Sequence, residues 1–490
     1  MYSKSFITPK TSERFGQWGS PISCEVASAQ SGSLGWPRVS GDSTWWCATD
    51  PESATVRLMH RDSDGLVTDA LSEEYSVGNS LCGYGGRPYT ISNDWIIFTS
   101  RIDQRMYRAD RRDLKGIALP LTPQDLDGYI TCYADPILNA DEIWCVREIT
   151  RPSNGVHDVD PMQLTSRQIV AIPLSGEGSS DESKIRVVAR SHHFLACPRI
   201  SPDGTRLVWI GWDHPQMPWD ATTVMVADLV GGVADASQIA YSLPNVSIPQ
   251  VEWRDKNSLY ALADPGGWWN LHVLKESDNA WSLECVVPME RECGDAMWRI
   301  GETWFQVLGS DVVFRHGFGE QALALFNSET GAVTDIASGW TEFGSYISCD
   351  GTSVAVIAGS KDRTKAVIRI EIRRDGSPST VTECTERPES TFESWMSSAD
   401  RRVAIGKDGS PVHFIYYPPN NPEFCGPEDE LPPLLIHAHG GPTHGTSATP
   451  DMEFSLFTSR GFAVASVDYG GSTGFGRSAC ALGVRRSVKR

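Results

Sequence analysis

Two short stretches of this chain hold residue types suited to acyl-transfer chemistry. The first is Leu434-Leu435-Ile436-His437-Ala438-His439-Gly440-Gly441-Pro442. His437 and His439 sit at i and i+2, on one face of an extended strand. Such a pair can hold a metal, but no carboxylate follows at ligand spacing, so no metal is expected. The Gly-Gly-Pro after His439 points instead to a loop whose backbone amides must face something. That is the requirement of an oxyanion hole, where fixed N–H donors meet developing negative charge.

The second stretch is Tyr469-Gly470-Gly471-Ser472-Thr473-Gly474. Its glycines and serine match the G-x-S-x-G spacing of a nucleophile elbow. An elbow needs a helix directly after the serine, and Phe475-Gly476-Arg477-Ser478 begins one poorly. No aspartate and histidine follow in the order that such a site uses. Ser472 is therefore read as a serine of a glycine-rich loop. The catalytic triad is expected to be absent from these 490 residues.

The elements that position these loops can be read from periodicity. Leu434–His439 is a short apolar run, as for a strand buried on both faces. Thr449-Pro450 resembles an N-cap and first helical position, Gly461 a C-terminal cap, and Met452, Leu456 and Phe457 recur at helical spacing. Phe462–Val467 is the next buried strand. Strand, helix, strand makes this part α/β. Val403–Ile405 and Val412–Tyr417 flank Lys407-Asp408-Gly409-Ser410, a hairpin with a short turn. Pro418–Glu430 is a polar loop.

Upstream, one pattern recurs near residues 37, 88, 136, 198, 249, 296 and 346. Each copy has a polar or proline-containing lead, a turn and a β-rich run; Pro198-Arg199-Ile200-Ser201-Pro202-Asp203-Gly204 is the clearest. A period near 50 with several short strands per unit is the signature of a β-propeller, here of seven blades. The 17 tryptophans suit packing between blades, and Trp45, Trp46, Trp268 and Trp269 are read as such filler. Residues from about 373 to 393 are polar and read as a linker. The expected organisation is an N-terminal segment (1–29), a propeller (30–380), a linker (381–393), the start of an α/β domain (394–476) and a basic tail (477–490).

Composition narrows the function classes. The chain has 43 basic and 62 acidic residues, a net charge of −19, which argues against nucleic acid or an anionic membrane as partner. The 12 cysteines are scattered singly, without a C-x-x-C pair. The N-terminus lacks the apolar core of a signal peptide, and no run of 18 apolar residues exists. A reduced, cytoplasmic protein without cofactor fits these features. Whether it self-associates is left open.

These residues together resemble the prolyl oligopeptidase family of serine peptidases, in its acylaminoacyl-peptidase or dipeptidyl-aminopeptidase-like branch. The resemblance spans nearly the whole chain up to Gly476. It rests on Trp212-Asp213-His214-Pro215-Gln216-Met217-Pro218-Trp219-Asp220, Gly267-Trp268-Trp269-Asn270-Leu271, His439-Gly440-Gly441-Pro442 and Asp468–Gly476. It implies a mainly β protein, with a seven-bladed propeller capping an α/β-hydrolase domain that is incomplete here. It implies acyl transfer from small peptides to a serine and then to water. By the same resemblance, Gly441 offers its amide to the oxyanion, His439 stands where post-proline peptidases place an oxyanion-binding tyrosine, and the loop Tyr469–Gly476, with Tyr469, Gly470, Gly471, Ser472 and Gly474, lines the site. Three departures stand out. Cys82-Gly83 replaces the His-Glu that usually precedes Tyr-Gly-Gly. The chain from Arg477 on is basic where the family is acid-rich. The nucleophile elbow, acid and histidine are missing. The expectation is an inactive, truncated product of a peptidase gene. A non-catalytic propeller that binds peptides or a protein, and a hydrolase using Ser472, are the alternatives.

Overall fold

The computed structural model describes residues 9–29, 32–152, 161–278, 280–373, 379–385, 388–441 and 443–480. Pro442 and residues 481–490 of the basic tail lie outside them.

Runs rich in β-branched and aromatic residues fold into seven consecutive four-stranded antiparallel sheets. Their innermost strands are Leu34–Ser40, Tyr89–Ile91, Ile130–Asn139, Phe194–Ile200, Gln250–Asp255, Phe305–Leu308 and Glu342–Cys349. The second strand of each sheet is buried on both faces: Ser258–Ala263 has no exposed residue, and Trp45, Trp144 and Trp209 are sealed between sheets. Outer strands such as Val233–Ser242 are largely exposed. The ring closes between first and last sheets. Val39 N–H donates to Ser348 Oγ at 3.3 Å, and Arg369 reaches the Gly41 carbonyl at 2.9 Å. Seven such sheets in a closed succession are consistent with a propeller. Trp45 and Trp46 are filler, as expected.

The prolines that mark the repeat have a structural reason. Trp36, Asp135 and Cys197 have φ of 53°, 56° and 53°, each directly before Pro37, Pro136 or Pro198. Each pair sits where the innermost strand slips register, between Gly35 and Arg38, Ala134 and Ile137, and Ala196 and Arg199. Proline cannot donate to a ladder, so within sheets it is confined to bulges, strand starts and edges. Pro88 and Pro249 stand one residue before strands Tyr89–Ile91 and Gln250–Asp255.

The C-terminal part is a mixed sheet. Its strands are β1 (Asp400–Ile405), β2 (Pro411–Tyr417), β3 (Leu434–Ala438) and β4 (Ala463–Asp468), with helix α1 (Met452–Thr458) before β4. The order is β1-β2-β4-β3; β4 runs antiparallel to β2 and parallel to β3. Gly409 at φ +81° closes the β1–β2 hairpin with Asp408 accepting the Ser410 N–H.

Several boundaries differ from expectation. The helix is capped by Asp451, which accepts the Phe454 N–H at 3.0 Å, so Thr449-Pro450 precede it. A carboxylate is as good an N-cap as a threonine, and it complements the helix N-terminus. Inside the stretch read as linker, Thr380–Glu383 forms the outermost strand of the seventh sheet. Its polarity reflects an outer strand that faces water, not a lack of structure. β3 is not buried on both faces: it is an edge strand, with Leu434 53% and Ile436 65% exposed. The N-terminal segment packs on the C-terminal part. Thr11–Ser12 pairs in parallel with Phe424–Cys425, and Ile22 and Ala27 pack with Met396 and Met452.

Candidate active site

β3 and β4 end side by side, and the loops that leave them meet. The sequence-derived residues on these loops are brought together. Gly441 is exposed, at φ +142°, and its N–H meets no acceptor among the described residues. His439 is held from four directions. Its ring stacks on Tyr469 at 4.5 Å, and Tyr469 Oη donates to the His439 carbonyl at 2.7 Å. Nδ1 lies 2.7 Å from the Gly440 carbonyl and Nε2 lies 2.8 Å from Ser472 Oγ. A carbonyl can only accept, so Nδ1 carries the proton and Nε2 accepts from the serine hydroxyl.

Ser472 and His439 thus form a hydrogen-bonded pair with the tautomer that a general base would need. The pair is nonetheless unlike a triad. Ser472 is 2% exposed, which leaves no approach for a peptide carbonyl. Asp468 Oδ1 stands 3.8 Å from Nε2, the serine's side of the ring, whereas a triad acid holds Nδ1. Asp468 is engaged by Thr446, through N–H at 2.8 Å and Oγ1 at 2.9 Å. Burial raises its carboxyl above the ordinary range despite those donors. The arrangement fixes the turn at Gly440-Gly441 against the glycine-rich loop. Gly470 and Gly471 give that loop its bend, Gly471 at φ +118°. Sequence reasoning did not pair Ser472 with His439, because the two are separated by 33 residues and meet only through β-sheet registration.

The loop continues into the propeller-like ring. Phe475 stacks on His413 at 3.9 Å and meets Phe318 edge-on. Gly476 N–H donates to Glu292 Oε1 at 3.1 Å, and Arg477 N–H to the Gly267 carbonyl at 2.8 Å. The Arg477 side chain ion-pairs with Asp264 and bonds the Asp220 carbonyl. Trp298 Nε1 donates to the Thr443 carbonyl at 2.6 Å. Farther along, Arg401 pairs with Glu342 at 2.5 Å. Between these contacts lies a cavity of about 590 Å³, lined by Trp219, Asp264, Trp269, Glu292, Thr443 and Arg477 among others.

Trp269, read as filler, is buried and also forms a wall of this cavity, and Trp268 lies against Gly476. Both stand in the loop between two strands of the fifth sheet, at the end of that sheet facing β4. The Trp-Asp-His-Pro string ends at the same cavity, through Trp219 and Asp220. Glu292 and Asp264 were missed by the sequence reading, since no motif marks a single acid in a loop. Among the described residues no cluster of His, Cys, Asp and Glu could hold a metal ion.

Gly476 supplies the first test of this assembly. It sits at φ +85°, and a Cβ there would stand 3.1 Å from the Trp268 ring. A left-handed conformation costs a non-glycine residue about 1–2 kcal/mol. Gly476→Ala is therefore expected to lower the unfolding midpoint and loosen the Arg477 contacts; an unchanged denaturation curve would contradict that packing.

No protein-family model and no curated protein matches the chain. Solved structures do. A Mycobacterium tuberculosis puromycin-hydrolyzing peptidase is 33% identical with a TM-score of 0.87, covering 96% of this chain and 71% of its own. A puromycin hydrolase is 31% identical with a TM-score of 0.87, covering 98% and 75%. A Pyrococcus horikoshii acylaminoacyl peptidase, at 14% identity and a TM-score of 0.63 over 96% and 72%, shares the fold. With a third of its residues shared over nearly its whole length with a peptidase of this kind, the chain belongs to the prolyl oligopeptidase family of serine peptidases.

Proposed function

We propose that the protein is the substrate-admitting part of a serine peptidase that handles small peptides, in the exopeptidase or oligopeptidase manner. In this reading residues 30–380 are a seven-bladed propeller and 394–476 the beginning of an α/β-hydrolase domain. The propeller limits access, and the amide of Gly441, oriented by His439, faces the oxyanion. The single observation that carries this is that the Gly440-Gly441 turn and the Tyr469–Gly476 loop meet through the His439–Ser472 hydrogen bond, beside a cavity lined by Thr443 and Arg477, the residues that follow each of them. A volume of about 590 Å³ falls within the usual range of small-ligand sites, roughly 300–1,000 Å³. Free thiols at all 12 cysteines favour a reducing, cytoplasmic setting. No helix among the described residues is long and apolar enough to cross a membrane.

We further propose that residues 1–490 bind peptides without hydrolysing them. Ser472 is buried, and its histidine is held by a carbonyl where a triad uses a carboxylate. Loss of triad partners removes about 10⁴-fold or more in rate. A fluorophosphonate probe should leave the purified chain unlabelled, while tripeptides quench its tryptophan fluorescence. Labelling that disappears in Ser472→Ala would sink the inactive reading. Absence of any peptide binding would sink the peptidase reading itself and favour a propeller that binds a protein partner.

A further inference from the structure

A second recess lies in the ring itself, between its first and second sheets. Its volume is about 320 Å³, at the small end of the usual ligand-site range of roughly 300–1,000 Å³. Trp36 and Cys47 of the first sheet form one wall, and Gly78, Gly83 and Gly86, in the segment leading into the second sheet, form another. The recess lies toward the end of the ring that faces the C-terminal sheet. Tyr84 in its lining meets Trp298 edge-on at 5.0 Å, and Trp298 reaches the Thr443 carbonyl. It shares no lining residue with the cavity beside Thr443 and Arg477.

The charge of this recess is unlike that of the chain. Of the residues that line it, Arg101 and Arg299 alone are charged, and none is an acid. In a chain of net charge −19 that is a local reversal of sign. Arg101 is exposed, and its guanidinium has no ion-pair partner among the described residues. Its stem lies directly across Gly78, where a Cβ would stand 2.6 Å from the Arg101 Cγ, so glycine at 78 is what lets the arginine lie along this wall. Arg299 comes from the segment before the sixth sheet, with its guanidinium 4.7 Å over the Trp36 ring and its Nε 3.2 Å from Glu302. Its two terminal nitrogens meet no acceptor among the described residues. The stack and the Nε bond fix that guanidinium before any ligand arrives, which lowers the ordering cost of binding. Two like charges on one recess repel, and an anion beside them relieves that repulsion. Gly83 lines the recess too, with open space where a Cβ would stand. The Cys82-Gly83 pair that replaces the usual His-Glu thus leaves this space without a carboxylate.

We propose that Arg101 and Arg299 form a site for the oxyanion of a small ligand, a carboxylate or a phosphate, held against the glycine wall. A guanidinium offers parallel N–H donors that match two oxygens of either group. The site goes beyond the peptidase reading, since it is a second ligand-binding point within the ring.

The test is calorimetry on the full 490-residue protein at fixed ionic strength, with inorganic phosphate, Ala-Ala-Phe and Ala-Ala-Phe amide as probes. Phosphate should bind, or the free-acid peptide should bind about tenfold or more tightly than its amide. The first result identifies a phosphate ligand and the second a peptide terminus. Arg101→Gln removes an exposed, unpaired side chain and should fold as the wild type does. It should weaken the phosphate, or abolish the preference for the acid, by about tenfold. Affinities unchanged in Arg101→Gln overturn the site. Equal binding of the two peptides with no binding of phosphate overturns it as well, and leaves the peptidase reading standing. Phosphate binding without any peptide binding supports the site and sinks the peptidase reading. Binding of none of the three overturns both.

Discussion

Asp135→Ala is expected to destabilise the protein by about 3–5 kcal/mol, the range for breaking a buried ion pair from one side. Asp135 is fully buried in the innermost strand of the third sheet. Arg87 binds its Oδ1 at 2.5 Å, and Arg199, from the fourth sheet, binds Oδ2 at 3.0 Å. Arg199 keeps Glu252 as a second partner at 2.8 Å, but Arg87 has no other acid among the described residues and would be stranded. Domains are typically stable by about 5–15 kcal/mol, so this one change removes a large share. Asp135→Asn should cost less, because asparagine tolerates the left-handed backbone of the bulge and retains one acceptor oxygen. The measurement is the urea midpoint of each variant; a wild-type midpoint for Asp135→Ala would show that the network is not coupled to folding.

The same residue sets a pH dependence. Burial alone would raise the Asp135 carboxyl, but the Arg199 and Arg87 guanidiniums outweigh it and hold it below the usual range. A group depressed in the folded state contributes stability that is complete above its unfolded value, near 3.9. That contribution is lost as pH falls through the lower folded value. Wild-type stability should therefore drop more steeply on acidification below about pH 4 than that of Asp135→Asn, which lacks the titrating group.

The second large effect concerns the β3 edge. Leu434 and Ile436 are 53% and 65% exposed, on a strand whose outer N–H and C=O groups meet no neighbour strand among the described residues. At the opposite edge, Val403 is 55% and Ile405 72% exposed. Each apolar side chain buried on association is worth roughly 1.5–3 kcal/mol, and an unpaired strand edge templates further pairing. The purified protein is expected to self-associate at micromolar concentration, and Leu434→Lys with Ile436→Lys is expected to suppress it. Sedimentation velocity distinguishes the cases; a monomeric wild type, or a double variant that associates as strongly, would rule out this edge as the contact. β4 is excluded as a source of exposed surface. It lies between β2 and β3, with Ala463, Val464 and Ala465 buried.

The ring of sheets was the most legible part of the chain. Its units repeat, and each repeat carries its own turn chemistry and its own β-rich run. Local pattern therefore sufficed to count seven units and to place the innermost strands near Pro37, Pro136 and Pro198. The hairpin at Gly409 and the β3–α1–β4 succession were equally local. The family was legible for a related reason: motifs such as His439-Gly440-Gly441-Pro442 are contiguous, so their spacing survives without knowledge of the fold.

What the sequence could not reveal depends on which segments meet. β3 read as a strand buried on both faces because Leu434, Leu435 and Ile436 are apolar; only the sheet order β1-β2-β4-β3 makes it an edge. The outermost strand Thr380–Glu383 read as linker because an outer strand faces water and needs no apolar side chains. Ser472 and His439 are brought to 2.8 Å by the parallel register of β3 and β4, which no local signal encodes. Glu292 is brought against Trp269, in a loop of the fifth sheet, and Gly476, in the C-terminal loop, only by tertiary packing. Residue types and short spacings set the elements and the kind of chemistry. Burial, charge pairing and the cavity are properties of contacts between segments far apart in the chain, and those arise only when the sheets pack.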